Sequence, residues 1–536
     1  MNIVKKIDLG FIFYFGSMFY VVFFGTRFFG TNDDMLMMLF VSGIYTGEPS
    51  EYIVFQNIIV GQFLKQLYLL NDTVNWYVVF LTTVQLASFA ALYFLVNRLV
   101  KKTTLLFLFV LPMLYFIVEF NLYLQFTKVA FLASIVGLFY LLKYLYKSKT
   151  KYLLISFVFI TFGFMIRDNA LYGAVVVALP IFIVLYIKYR THVLFLKSIL
   201  FGIVLVTLLF SLKTYNHEYY SGTEAWQKFR DLIVVRGAFY HDRSITKECF
   251  KDKGVQYRIS DNDVDTFYKW TNDDSKVYGP EMLSHVLKHC SQLFDYKYER
   301  VTNLNFLNLF LKKVSSFDFV YLFIFCIYLL FMIHKKYRVF ILFYFIYFVS
   351  VLFYLSTVSL ENRVVASITL EFYIILLFLS VIAGTSKYYL QSKRITFGVV
   401  GVFLAYIYLS IFEQVVYKKT PASIEKELLV LKGNYVIVAK SGNFFNYLSL
   451  DTDFSKMFEE VTFYYSGWNL ASPDNIKVLD GMANFYELLV EKENVILYMD
   501  AHRLPHVKKY MYEHYRKVID FYKIQDNYYK IKKIKN

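Results

Sequence analysis

The stretch WYVVFLTTVQLASFAALYFLVNRLVKK (76–102) decides the class of this chain. It opens on a Trp–Tyr pair, runs without a charge to Asn97, and ends on Arg98, Lys101 and Lys102. A helix rises about 1.5 Å per residue, so roughly 20 apolar residues cross a hydrocarbon core about 30 Å thick. Aromatic residues at one end and cations at the other mark the two water interfaces of such a span. Working outward, similar apolar windows lie near 7–29, 103–118, 129–146, 152–166, 170–187, 193–212, 318–334, 339–357, 365–384 and 395–415. With 75–97 they predict a polytopic α-helical membrane protein of about 11 transmembrane helices.

Composition agrees. The 536 residues are 57% hydrophobic, 21% aromatic and 18% charged, whereas a soluble domain is about 45–50% apolar and about 25% charged. This excludes a disordered chain, a collagen-like fibre, a disulfide scaffold and an ordinary cytosolic enzyme. Net charge is +16, but the cations fall at the ends of spans rather than in a basic stripe with interleaved aromatics, so no nucleic-acid partner is expected. Three cysteines are too few for a disulfide framework.

The charges give the direction. Lys5/Lys6, Arg98/Lys101/Lys102, Lys143/Lys147/Lys149/Lys151, Lys188/Arg190, Lys335/Lys336/Arg338 and Lys387/Lys393/Arg394 recur at every second junction, which makes that face cytoplasmic. Asp33, Asp34, Glu48, Glu51, Glu119, Asp168 and Glu361 fall on the other face. The N-terminus is then inside and the C-terminus outside, with a membrane domain over 1–415 carrying outer loops 30–74 and 213–317. An extracytoplasmic α/β domain follows over 416–536. Within it NYVIVAK (434–440) and NVILYMD (494–500) read as buried strands. Residues 423–431, 481–492 and 504–515 read as helices, and the tail KIKKIKN reads as a solvated end.

The chemistry is concentrated in TNDDMLMMLFVSGIYTGEPSEYIVFQNIIVGQFLKQLY (31–68). Asp33 and Asp34 stand just past a spanning helix, where a partly desolvated carboxylate accepts a proton or binds a cation. The plainer reading is that Asn32 and the acids cap the next helix. Residues 35–42 and 52–69 read as two amphipathic segments along the interface, a floor beside the carboxylates at headgroup depth.

Many spans, an inside N-terminus, an acidic pair in the first outer loop followed by interfacial helices, and an outer C-terminal α/β domain together resemble the GT-C class of integral membrane glycosyltransferases. The NDD…SG-Y-TG-P pattern is also similar to multi-spanning proteins of Gram-positive polysaccharide clusters. The resemblance implies a multi-pass cell-membrane enzyme with its active site on the extracytoplasmic face. It implies a polyprenyl-phosphate-linked sugar as donor and a cell-surface polysaccharide, teichoic-type polymer or glycolipid as acceptor. Asp33 or Asp34 would then be the catalytic base. Glu119 and Lys128 in the second outer loop would bind substrate. Arg167 beside Asp168, and Arg363 beside Glu361, would hold the carrier phosphate, since a guanidinium offers a planar fork to phosphate. The alternative for Arg167 is a local ion pair with Asp168.

Nothing in the sequence requires a cofactor, and a divalent cation at Asp33/Asp34 stays an open alternative. His285 and His289 share a helix face without a third ligand, so no metal site is assigned. Cys249 and Cys290 both fall outside, where an oxidising compartment permits them to pair. Arg230, Arg236, Tyr240, His241, Asp242 and Arg243 read as a charge-mixed surface helix. No G-x-S-x-G, P-loop or Rossmann fingerprint occurs. A polymerase, a flippase and a non-catalytic scaffold of polymer assembly are the rival readings.

Overall fold

The computed structural model describes residues 9–97, 103–189, 192–242, 245–269, 274–291, 335–357, 361–383, 431–439, 448–469, 471–479, 481–482, 484–525 and 527–533. The windows 318–334 and 395–415 lie outside the described residues, as does all but the last residue of the helix expected at 423–431. The described residues of the other windows are helical, save Asn75 and the end of the window 7–29, where the first helix stops at Phe24. In chain order the helices are α1 (Leu9–Phe24), α2 (Asn32–Ser42), α3 (Ile58–Leu70), α4 (Trp76–Asn97), α5 (Thr103–Leu122), α6 (Phe126–Lys147), α7 (Lys151–Ile166), α8 (Asp168–Tyr189) and α9 (His192–Ser221). An outer group follows: α10 (Glu224–His241), α11 (Lys247–Gly254), α12 (Asp261–Tyr268) and α13 (Pro280–Cys290). Two more apolar helices are α14 (Lys335–Thr357) and α15 (Asn362–Ala383).

Four helices among the described residues are long and apolar enough to cross a membrane: Trp76–Asn97, Phe126–Lys147, Asp168–Ile187 and Leu196–Ser221. In the last, no residue of the most apolar stretch is fully buried. Its Leu200 is 63% and its Phe210 71% exposed, the surface of a helix made to face hydrocarbon rather than water. At the centre, α6 is buried along nearly its whole length and packs against α4, α7, α8 and α15. The α6–α7 approach depends on small residues, because a Cβ at Gly163 would stand 2.3 Å from Ser134 Oγ and 2.9 Å from the Ala130 carbonyl.

The first outer loop departs from expectation. Strand β1 (Phe28–Phe29) pairs in parallel with β2 (Tyr123–Leu124), and Gly30 N–H donates to Leu124 O at 2.7 Å. The following helix α2 does not lie at the interface. Its residues Met35 to Val41 are all 0–1% exposed. The run Met35–Val41 is apolar on every side, and a helix hydrophobic all round has to be buried on all sides. It packs against α3 and α4, with Phe40 5.9 Å from Trp468 of the C-terminal domain. Helix α3 is amphipathic as expected, burying Ile58, Val60, Leu64 and Tyr68 while exposing Phe63, Leu69 and Leu70.

The long outer loop and the C-terminal segment, read from sequence as separate, share one hydrophobic core. The C-terminal strands are β3 (Tyr435–Ala439), β4 (Thr462–Ser466), β5 (Val495–Tyr498), β6 (Ile519–Gln525) and β7 (Tyr528–Lys533). They form one mixed sheet in the order β4-β3-β5-β7-β6, with β3 parallel to β4 and β5. The described C-terminal helices are α16 (Phe454–Glu460), α17 (Pro473–Val478), α18 (Phe485–Glu491) and α19 (Leu504–Tyr515). Tyr510 of α19 stacks on Tyr486, 4.1 Å between ring centres, and Tyr278 lies 6.4 Å from it on the loop side. Asp274 accepts hydrogen bonds from the hydroxyls of Tyr510 and Tyr515 at 3.3 and 2.9 Å. Cys249 and Cys290 form a disulfide between α11 and α13. The part of the basic tail that is described, 530–533, belongs to β7 (Tyr528–Lys533), a strand paired on both sides. Its alternation of Tyr and Ile with Lys is the period of a strand with one covered face.

Candidate functional site

The acidic pair splits into two different environments. Thr31, not Asn32, is the N-cap of α2. Asp34 stands three residues on, is fully buried and points back under the loop. One of its oxygens accepts from Phe126 N–H at 2.8 Å and from Tyr77 OH at 3.1 Å, and the other accepts from Thr31 Oγ1 at 2.8 Å. The β1–β2 pairing delivers Phe126 to this position, since α6 begins one residue after Gln125, its N-cap. Burial pushes the Asp34 carboxyl up to about 7, with the Phe126 and Thr31 hydrogen bonds opposing. Gln56 donates to Tyr77 OH at 3.1 Å, which extends the brace to the far end of the loop.

Asp33 faces the other way. Its carboxylate is 20% exposed and lies 3.6 Å from the Arg363 guanidinium at the start of α15. That separation exceeds ordinary hydrogen-bond length, so the pair is loose. Burial raises the Asp33 carboxyl above its ordinary range; Arg363 and Arg167 pull it back, and Glu361 adds to the rise. The first loop and the start of α15, distant in sequence, therefore meet, and the charge on Arg167 at the α7–α8 junction reaches them. The C-terminal domain supplies a further contact, because Asn32 Nδ2 donates to Tyr465 OH of β4. Burial and the charge on Asp33 both raise the Tyr465 phenol.

Arg167 ends α7 early. The helix has 16 residues, about 24 Å of rise at roughly 1.5 Å per residue, short of a full span. Arg167 takes an extended backbone, and its guanidinium lies over the rings of Phe55 and Phe126 at 5.3 and 5.5 Å. It does not pair with Asp168: that carboxylate holds the Asn169 N–H at 2.8 Å and faces Lys213 at 3.6 Å. Burial lowers the Arg167 guanidinium and Asp168 opposes this, with Arg363 and Asp33 next in influence. Arg167 thus belongs electrostatically to the Asp33–Arg363 cluster.

Glu119 and Lys128 pair with each other. Both are largely buried, and Lys128 sits over the rings of Phe120 and Tyr123 at 5.3 and 6.0 Å. Glu361 is exposed and its carbonyl accepts from Val364 and Val365 N–H at 3.0 and 3.2 Å, capping α15 behind Arg363. The sequence reading did not single out Tyr465, Trp468 or Lys213, and placed Arg230 on a surface helix. Arg230 instead lines a cleft of about 220 Å³ with Arg167, Asp168 and Lys213.

The His285 and His289 rings lie 4.2 Å apart, and His289 Nδ1 is occupied by the His285 carbonyl at 2.8 Å. Among the described residues, Asp263, Glu513 and His514 are the group with metal-type spacing. Their atoms are already used: His514 bonds Asp263 at 2.8 Å, Glu513 accepts from Ser260 Oγ at 3.0 Å, and Asp263 caps α12. Comparison of the chain with protein-family models, with curated proteins and with solved structures finds no match.

Proposed function

We propose that this chain is a membrane glycosyltransferase of the GT-C type, moving a sugar from a polyprenyl-phosphate carrier to a cell-surface polymer or glycolipid on the outer face. In this reading the 11 spans run from an inside N-terminus, and the acid cluster lies at the outer leaflet. The observation that carries it is the meeting of Asp33 and Arg363 from distant segments at a partly open site, within reach of the charge on Arg167. Asp33 removes the proton from the acceptor hydroxyl as that oxygen attacks the anomeric carbon. The bond from that carbon to the phosphate oxygen breaks on the opposite side, which inverts the centre. The charge released onto phosphate falls to Arg363 and Arg167, cations that need no proton at neutral pH. Both carboxyls are raised above the ordinary range, so exposure separates them: Asp33 keeps part of its carboxylate open while Asp34 is fully buried. Asp34, with both oxygens engaged, holds the loop in place. The outer domain, reaching the site through Tyr465, holds the acceptor.

The test is sugar incorporation from a lipid-linked donor by membranes carrying Asp33→Asn. The reading expects loss of about 10²–10⁴-fold with normal protein level. Undiminished transfer would leave a non-catalytic scaffold as the better account.

A further inference from the structure

Lys269 is the C-cap residue of α12, and its ammonium donates not to a carboxylate but to Nε2 of His506, in the first turn of α19. Asp265, one turn earlier on α12, is taken by Lys247 of α11. Among the described residues Lys269 has no ion pair of its own. Asn262, only 3% exposed, grips His506 at two points. Its Nδ2 donates to the His506 carbonyl at 3.1 Å, which leaves Oδ1 to accept from the ring Nδ1–H, also at 3.1 Å. With its proton on Nδ1, the neutral ring turns the lone pair of Nε2 toward Lys269. Both Lys269 and His506 are only half-buried, so a reagent can reach them.

The surrounding charges favour the amine over the ammonium. Burial holds Lys269 below its ordinary range; Asp265 opposes, and Lys247 and Arg503 add to the fall. Burial and then Lys269 hold the His506 imidazole below its own range; Asp265 opposes, and Lys247 and His502 deepen the drop. The ring is therefore neutral at neutral pH and open to a proton. A nucleophile hydrogen-bonded to a base, with a third group orienting that base, is the general arrangement of covalent chemistry in proteins, and a neighbouring cation is one way to activate a lysine.

We infer that Lys269 is a nucleophilic lysine, a site of acylation by an activated ester, with His506 as the base and Asn262 holding that base in the required tautomer. The amine lone pair forms a bond to the ester's carbonyl carbon, and the bond from that carbon to the leaving oxygen breaks. The proton leaves nitrogen for His506 Nε2 and passes on to the departing oxygen or to water. The products are an amide on Lys269 and an alcohol. No sugar donor enters this step, so the inference stands apart from the glycosyltransferase reading.

The test is limited acylation of the full chain in detergent with p-nitrophenyl acetate, the acetyl group being located by peptide mass spectrometry. Lys269 acetylates at least about tenfold faster than the exposed Lys288 and Lys456, and its rate climbs at lower pH than theirs. His506→Gln lowers the Lys269 rate by at least about tenfold while the thermal midpoint holds. Asn262→Asp still accepts from Nδ1–H and keeps the raised rate, whereas Asn262→Ala loses it. Lys247→Gln removes a cation and releases Asp265, so the climb moves to higher pH. A Lys269 rate no greater than that of Lys288, or an unchanged rate in His506→Gln, would overturn the inference and leave a contact that only ties α12 to α19. Equal loss in both Asn262 variants would overturn the part given to Asn262.

Discussion

Two acid–base groups of the helix bundle are built from the same chemistry but closed to different degrees. Glu119 near the end of α5 and Lys128 near the start of α6 pair tightly, with Lys128 over two aromatic rings. Asp33 and Arg363 come from opposite ends of the membrane domain, stand 3.6 Å apart and keep part of their surface open. A closed pair sets its two charges against each other inside the protein. A loose pair with Arg167 nearby and Tyr465 behind it has a carboxylate and two guanidinium groups still available. The difference teaches that these acids are not interchangeable: the position of the partner decides which is sealed in the fold and which keeps its carboxylate open.

Four variants break or sharpen that contrast. The largest effect is expected for Arg167→Gln combined with Arg363→Gln, which removes both cations from the leaving phosphate. Donor kcat/KM should fall by at least about 10³-fold, since removing even one preorganised donor to a developing oxyanion costs about 10²–10³ in rate. Protein level should hold. Next comes Lys128→Met, which strands a buried Glu119 charge and should destabilise the chain by about 3–5 kcal/mol. It would show as a lowered thermal midpoint, with the transfer rate per folded molecule unchanged. A loss of rate without loss of stability would place Glu119 and Lys128 in the site after all.

Asp34→Asn should cost less than about 1 kcal/mol at neutral pH. The amide still accepts from Phe126 N–H and Tyr77 OH, and the Thr31 hydroxyl can rotate to accept in turn. The sign of its pH dependence follows from burial. With the folded carboxyl at about 7 and an unfolded value of about 3.9, the native state binds the proton more tightly. Its stabilising contribution is present below about 4 and is lost as pH rises through about 7. Wild type should therefore gain on the Asn variant as a melting series is taken from pH 7 toward pH 4. The smallest effect is a shift in the acid limb of the transfer rate. Arg363 lowers the Asp33 carboxyl, so Arg363→Gln should move that limb to higher pH.

The helical windows were legible because a span needs a long unbroken apolar run, and such a run survives errors of a few residues at its ends. The strands at 435–439 and 495–498 were legible for a related reason: buried parallel strands read as short continuous apolar runs. Helix α2 was misread because its composition is uniform, and a short apolar helix with two acids at its start fits an interface as well as a core. The union of the long loop with the C-terminal domain was not legible. It rests on contacts such as Asp263 with His514 and Asp274 with Tyr515, between positions no local pattern connects. For the site, Asp33, Arg167 and Arg363 were each singled out by type and place; Asp33 stands 3.6 Å from Arg363, and the charge on Arg167 reaches Asp33. Tyr465 had no signal, being one aromatic residue in a strand among many.

The account stands most directly on the contrast between adjacent carboxylates. Side-by-side assays of Asp33→Asn and Asp34→Asn, with sugar incorporation normalised to folded protein, read it in one experiment. The account predicts that Asp33→Asn loses about 10²–10⁴-fold while Asp34→Asn stays within about tenfold of wild type. The reverse order, or full activity in Asp33→Asn, would contradict it.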